Sequence, residues 1–300
     1  MGVQNLILKY WKIIEAMDKK RLSSQSFPEK ITVVSDIPYI EGAKTPNLLD
    51  IYYPEGTDKL LPVIFMVHGG GWLYGNKELN KIYAMNLALR GFAVVNINYH
   101  LVHESRFPKQ IQDIFAALNW LESNGKNYFC DINNLFITGD SAGAHLSSLT
   151  MALQYNEKLS EMLGVKTSIK IKAGALICGV FDFNKNGWKS LIFKPYTGVM
   201  VGEKFKKSKY RDLMSFSGVY NGTLAPIYLM TSEQDIMKFQ NVKMVKYCDE
   251  HNINYEFKLW PKSVKGANKL IHVFNVTFPL YEESIKTNDD FCNFFRKFIN

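Results

Sequence analysis

The strongest constraint in this 300-residue chain is the stretch Gly139-Asp140-Ser141-Ala142-Gly143. A short apolar run, residues 135–138, stands directly before it, and a helical pattern, residues 142–153, directly after it. A serine caught between a strand's end and a helix's start must take a tight, strained turn. Glycines two residues to either side let strand and helix approach closely, because neither carries a Cβ. The hydroxyl is left exposed at the head of the helix, where the dipole favours developing negative charge. G-x-S-x-G alone arises by chance; its strand-and-helix setting makes Ser141 a candidate nucleophile.

The rest of the chain supplies a matching frame. Apolar runs alternate with helical patterns, which predicts a mostly parallel sheet with helices on both faces. Residues 31–34 and 49–53 read as early strands, an antiparallel entry pair. Residues 63–67, 93–97, 135–138, 171–180, 227–231 and 255–260 read as the later strands. Helices are expected at 108–121, 236–251 and 289–299, with Pro108 at a first turn where a missing N–H costs little. Residues 183–222 break this rhythm with Asn, Lys, Gly and aromatics, at a length too great for a simple loop. They read as an insertion capping the sheet's C-terminal edge. Leu6, Leu8, Trp11, Ile13, Ile14 and Met17 have the spacing of an amphipathic helix, and residues 1–30 are expected to join the cap. Residues 1–300 are read as one domain.

Composition narrows the partners. The net charge is +8, but the lysines are scattered rather than gathered into the stripe that nucleic acid requires. A solvated basic surface is expected, and no nucleic-acid partner. The densest cluster (Lys204, Lys206, Lys207, Lys209 and Arg211) falls in the insertion. Cys130, Cys178, Cys248 and Cys292 form no C-x-x-C pair, which argues against zinc or redox use. No metal or organic cofactor is expected, and a reducing compartment fits. Lys9, Lys12 and Glu15 interrupt the N-terminal apolar residues, unlike a secretory signal. Leu6 stands where a myristoylation signal wants Ser or Thr, and no run reaches membrane-span length. A cytoplasmic location is expected. The oligomeric state stays open, with a homodimer as one candidate.

A second motif, His68-Gly69-Gly70-Gly71-Trp72, follows the apolar run 63–67. It could be a turn that only lets the chain reverse. It could also be an oxyanion hole, since glycines let backbone N–H groups face a carbonyl oxygen with no side chain in the way. In that reading Gly70 and Gly71 supply two donors and Ala142 a third. With the two motifs in this order, the chain resembles α/β-hydrolase-fold esterases of the hormone-sensitive-lipase-like group. The likeness runs from about Ile37 to the C-terminus. Leu49-Asp50-Ile51-Tyr52-Tyr53-Pro54 and Asn98-Tyr99 also look like that family's surroundings. It implies the α/β-hydrolase fold and hydrolysis of small, short-acyl carboxylic esters through a Ser-His-Asp triad.

In that fold the acid and then the base follow the nucleophile. His68, His100, His103 and His145 precede Ser141 or flank it too closely, leaving His251 and His272. His251 ends a predicted helix and reads as a surface residue favoured by the helix dipole. His272 lies in a loop after the last strand, which would drop it over the serine. Asp235 follows the strand 227–231 and reaches the same rim; Glu233 is its nearest rival. Asp182 comes one strand too early, Asp113 reads as a buried hydrogen-bond partner, and Asp140 as a brace for the turn. Trp72, Tyr99, Phe181 and Tyr196 are candidates to line the substrate pocket. Two departures from the family stand out. Ser215-Phe216 stands where Ser-Pro is common, and the loop at 262–269 is long and polar. Residues 141–146 also resemble arylformamidases, which cleave an N-formyl amide with the same machinery. Those usually carry a bulkier third residue where Gly71 stands, so an ester leads and a formamide is the alternative.

Overall fold

The structure is a computed structural model and describes residues 3–42, 45–183, 194–201, 208–262 and 269–300, without the side chains of 3–6, 8, 194 and 195. The strands are β1 (Ile31–Pro38), β2 (Leu48–Pro54), β3 (Leu61–Val67), β4 (Ala93–Ile97), β5 (Cys130–Asp140), β6 (Ile171–Ile177), β7 (Ile227–Ser232) and β8 (Tyr255–Trp260). They form one sheet in the order β1-β2-β4-β3-β5-β6-β7-β8. β1 pairs antiparallel with β2, and β2 antiparallel with β4. Every later pairing is parallel, as the alternation of apolar runs and helices requires.

The side chains of each strand split between two cores with the two-residue period of a strand. Val63, Phe65 and Val67 join one core with residues of α3 (Lys109–Asn124), α4 (Ala142–Leu153) and α8 (Lys238–Glu250). Ile64 and Met66 join the other with residues of α2 (Lys81–Ala88), α9 (Phe274–Thr277) and α10 (Glu282–Arg296). Burial on both faces explains why the central strands read as unbroken apolar runs. The chain turns to opposite sides of β3, placing β4 on one side and β5 on the other. In parallel sheets such a switch point leaves a crevice at the strands' carboxyl ends.

Several boundaries differ from the sequence reading. β6 stops at Ile177 because Cys178 turns left-handed, φ 50°. α10 begins at Glu282, seven residues before the expected Asp289. Its inward positions there are Ser284, Thr287 and Asn288, buried but polar, so its first turns carry little apolar signal. α2 and a short α5 (Glu157–Leu163) went unread. In the insertion, α6 (Lys194–Val201) and α7 (Phe216–Val219) are helical. Lys204, Lys206 and Lys207 lie outside the described residues, as does most of the polar stretch 262–269. Phe216 N–H donates to Phe181 O (2.9 Å), a bond that proline could not make.

The N-terminal helix α1 (Val3–Ser23) is tied down at its middle and near its C-terminus. Near its C-terminus Arg21 and Gln25 both donate to Thr277 O, at 2.9 and 2.7 Å. Tyr74, just past β3, donates to Asp18 (3.1 Å) and stacks on Trp11. Among the described residues no helix is long and apolar enough to cross a membrane.

A buried ion pair locks the segment after β3 to the entry strands. Lys77 Nζ lies 2.9 Å from Asp50 Oδ1, both side chains 2% exposed, and also reaches Asp36 at the surface. Removing one partner of such a pair costs about 3–5 kcal/mol, because a charge stays buried alone. Lys77→Met is expected to lower the unfolding free energy, and with it the urea unfolding midpoint, by that margin in energy, and adding Asp50→Asn should recover part of it. An unchanged midpoint in the single variant would contradict the role given to this pair.

Candidate active site

Ser141 joins β5 to α4 with φ 52° and ψ −112°, a conformation that residues with a Cβ rarely adopt. Two glycines make the turn possible. A Cβ on Gly143 would lie 2.1 Å from Val67 O, and one on Gly139 would lie 2.4 Å from Gly143 C. Neither clash could relax without separating strand from helix. Ser141 N–H donates to Ile177 O (2.8 Å), which fixes the turn to the neighbouring strand.

His272 reaches this serine from the loop beyond β8. Its Nε2 lies 2.9 Å from Ser141 Oγ, and its Nδ1 lies 2.7 Å from Asp235 Oδ1. With the Nδ1–H donating to the carboxylate, Nε2 is left to accept the serine proton. Asp235 sits just past β7 with its side chain fully buried. Its Oδ1 also accepts from Met237 N–H (2.8 Å), and its Oδ2 from the Thr231 hydroxyl (2.6 Å). Burial alone would raise this carboxyl. The bonds and charge of His272, with Thr231 and Met237, outweigh burial and hold it below the usual carboxylate value. The Ser232 hydroxyl donates to Leu270 O, tying the histidine loop to β7. Glu233, the rival acid, is instead paired with Lys238 at 2.7 Å.

Opposite Ser141 lies the glycine loop after β3. Gly69 N–H is taken by Asp140 Oδ1 (3.0 Å), which also accepts from Asn80 (3.1 Å). A Cβ on Gly69 would meet Asp140 Oδ2 at 2.3 Å, and one on Gly70 would meet Tyr74 O at 1.9 Å. Gly70 and Gly71 both take positive φ, 108° and 59°. Among the described residues, the amides of Gly70, Gly71 and Ala142 donate to no protein acceptor. Asp140 therefore braces the glycine loop as well as the turn. Burial raises its carboxyl, against the bonds from Asn80 and Gly69.

The proposed pocket residues separate. Trp72 is buried below the loop, where its Nε1–H donates to His145 Nδ1 (3.2 Å). His145 Nε2–H in turn donates to Met214 O (2.8 Å). Tyr99 is buried too, donating to His68 O (2.8 Å) and stacking on the His68 ring. Burial pushes His68 and His145 down to about 4, so both rings are neutral props. Phe181 folds back over Gly179 and lines a separate cavity of about 350 Å³ beside α8. The lining of that cavity includes none of Ser141, Asp235 or His272. Of the four, Tyr196 faces the glycine loop, with Cε1 3.3 Å from a Cβ built on Gly71.

Other residues weighed for the site stand as follows. Asp113 is buried and accepts from Asn47, His100 and Lys109. Asp182 pairs with Lys243 (3.3 Å), and His251 is exposed at the end of α8, bonded to Tyr247 O. All four cysteines are free and buried. Among the described residues, Cys178, Asp235 and His272 hold their donor atoms within 4.8 Å of one another, close enough for a metal. Both His272 nitrogens and Asp235 Oδ1 are already engaged in the bonds to each other and to Ser141, and Cys178 Sγ accepts from Val273 N–H (3.4 Å). Sequence reasoning missed Thr231, Asn80 and Trp11 as neighbours of the site. Only Trp11 left a trace, on the apolar face of α1.

This geometry has close relatives. The BD-FAE family pattern matches residues 49–244. The structure superposes on esterase B from Lactobacillus rhamnosis with a TM-score of 0.92 and 32% identity, covering 99% of this chain and 95% of that one. The same enzyme inhibited by a C4-C4 SN3 tributyrin phosphonate superposes with a TM-score of 0.93. Probable carboxylic ester hydrolase LipM from Mycobacterium tuberculosis is 35% identical over 153 residues, 50% of this chain and 35% of that protein. The chain spans about a third of the length of the first curated relatives it matches. It belongs to the BD-FAE family and has the α/β-hydrolase fold of these esterases.

Proposed function

We propose that the chain is a serine esterase that hydrolyses small, short-acyl carboxylic esters, with Ser141 as nucleophile, His272 as base and Asp235 as its partner. The observation that carries this reading is the unbroken line of hydrogen bonds Ser141–His272–Asp235 beside three unclaimed amides. His272 takes the proton as Ser141 Oγ attacks the ester carbonyl. The Gly70, Gly71 and Ala142 amides receive the oxyanion, each worth about 3 kcal/mol of transition-state stabilisation. His272 then protonates the departing alcohol. Water, activated by the same imidazole, releases the acid from Ser141. Asp235 stays ionised throughout, which steadies the imidazolium.

Short acyl chains are favoured by the ring edges crowding the glycine loop, Trp11 and Tyr196 against Gly71. A phosphonate with C4 chains inhibits the similar esterase B, which agrees with this size. α1 and the helices within 183–222 act as the cap that supplies these rings. Every reacting group comes from one chain, so a monomer suffices for the chemistry. Four free cysteines suit a cytoplasmic setting.

Ser141→Ala should abolish turnover of p-nitrophenyl butyrate while leaving the thermal unfolding midpoint within a few degrees. Turnover within tenfold of wild type would overturn the nucleophile assignment. Asp235→Asn should lower kcat by about 10³–10⁴, whereas Glu233→Gln should leave it within twofold. Equal losses in the two variants would remove Asp235 from its role. Across p-nitrophenyl esters, kcat/KM should peak at acyl chains of two to about six carbons, and N-formylkynurenine should be cleaved far more slowly. A peak at long chains would contradict the crowded-cap reading.

A further inference from the structure

Trp11 stands on α1 where that helix crosses the glycine loop, and the six-membered edge of its indole faces Gly71. A Cβ built on Gly71 would lie 2.5 Å from Trp11 Cζ2 and 3.2 Å from Trp11 Cε2. Cε2 is bonded to the ring nitrogen, so the indole N–H is held beside the glycine whose amide receives the oxyanion. That nitrogen is buried and makes no hydrogen bond of ordinary geometry with a protein group. Buried indole N–H groups as a rule have an acceptor. The ring itself is well fixed, stacked on Tyr74 with centroids 5.3 Å apart and planes at 21°. Tyr196 is the other neighbour of Gly71. Burial, then Tyr10, raise its phenol, and the Trp11 N–H draws it partly back, so the two polar groups stand near one another at the same spot.

We propose that Trp11 is a specificity-determining residue whose indole N–H donates to a second oxygen of the substrate, a few bonds from the scissile carbonyl. The preferred substrates are then esters carrying a hydroxyl, ether or further ester oxygen close to the bond that is cut. A plain alkyl ester of the same size would leave the N–H unpaired, and sites built to bond an oxygen discriminate against analogues that lack it. The inference rests on the Ser141 reading given above, because it places the substrate carbonyl at Gly71.

Two isosteric pairs test it, one for each arm of the ester. The first is 2-hydroxyethyl butyrate against propyl butyrate. The second is ethyl 3-hydroxybutyrate against ethyl 3-methylbutyrate. Wild-type protein should prefer the oxygenated member of at least one pair by about five- to tenfold in kcat/KM, mostly through KM. Trp11→Phe keeps the ring and removes the donor, and should bring that ratio close to one. No preference in either pair for wild-type protein that a fluorophosphonate titrates at Ser141 would overturn the proposal alone. So would a preference that survives in Trp11→Phe. Wild-type protein that cannot be titrated at Ser141 would overturn the esterase reading, and this inference with it.

Discussion

The site depends on how closely one strand and one helix can meet. At the Ser141 turn, β5 runs into α4 with no room for a side chain at Gly139 or Gly143. That contact forces Ser141 to φ 52° and lifts its hydroxyl out of the sheet. It also brings the N-terminus of α4 under the oxygen, which leaves the Ala142 amide free for the role proposed for it. Packing of α4 over the central strands offsets the strain of the turn. His145, Ser147, Ser148 and Thr150 are the polar exceptions on a helix whose every residue is buried.

Around this turn the other parts are held by bonds that run from strand ends to the neighbouring loops. Asp140, the residue before the serine, reaches across to Gly69 and Asn80. Ser141 itself is bonded to β6 through Ile177. Thr231 and Ser232, the last residues of β7, hold Asp235 and the histidine loop in turn. Left-handed backbone gathers at the same rim, at Gly70, Gly71, Trp72, Ser141, Cys178 and Val273. Strain concentrated where charge must be handled is the usual mark of a preorganised site. Two neutral histidines complete the support. His145 holds Trp72 below the glycine loop, and His68 stacks on Tyr99 beneath it.

Much of this was legible in the sequence. The two glycine motifs carry their own steric logic, and each glycine proves to face backbone or a side chain that forbids a Cβ. The alternation of apolar runs revealed the parallel sheet because both of its faces are covered. Asp235 and His272 could be chosen because chain order and strand ends limit the choices. What escaped notice had no periodic signature. The start of α10 hides behind buried Ser284, Thr287 and Asn288. Trp72 and Tyr99 looked like pocket walls, since an aromatic near a motif reads the same whether it faces in or out; the structure places both beneath the loop. Conversely, nothing in the spacing of Trp11 told that a helix far away in sequence would lay that ring against Gly71.

The central claim is that one serine, raised by a strained turn and aligned with one imidazole, carries the reaction. Peptide mapping of the folded protein after treatment with a fluorophosphonate tests it most directly. The account predicts one phosphonyl group per chain, on Ser141, with no labelling after His272→Ala over the same time. Modification at another serine, or equal labelling without the imidazole, would contradict it.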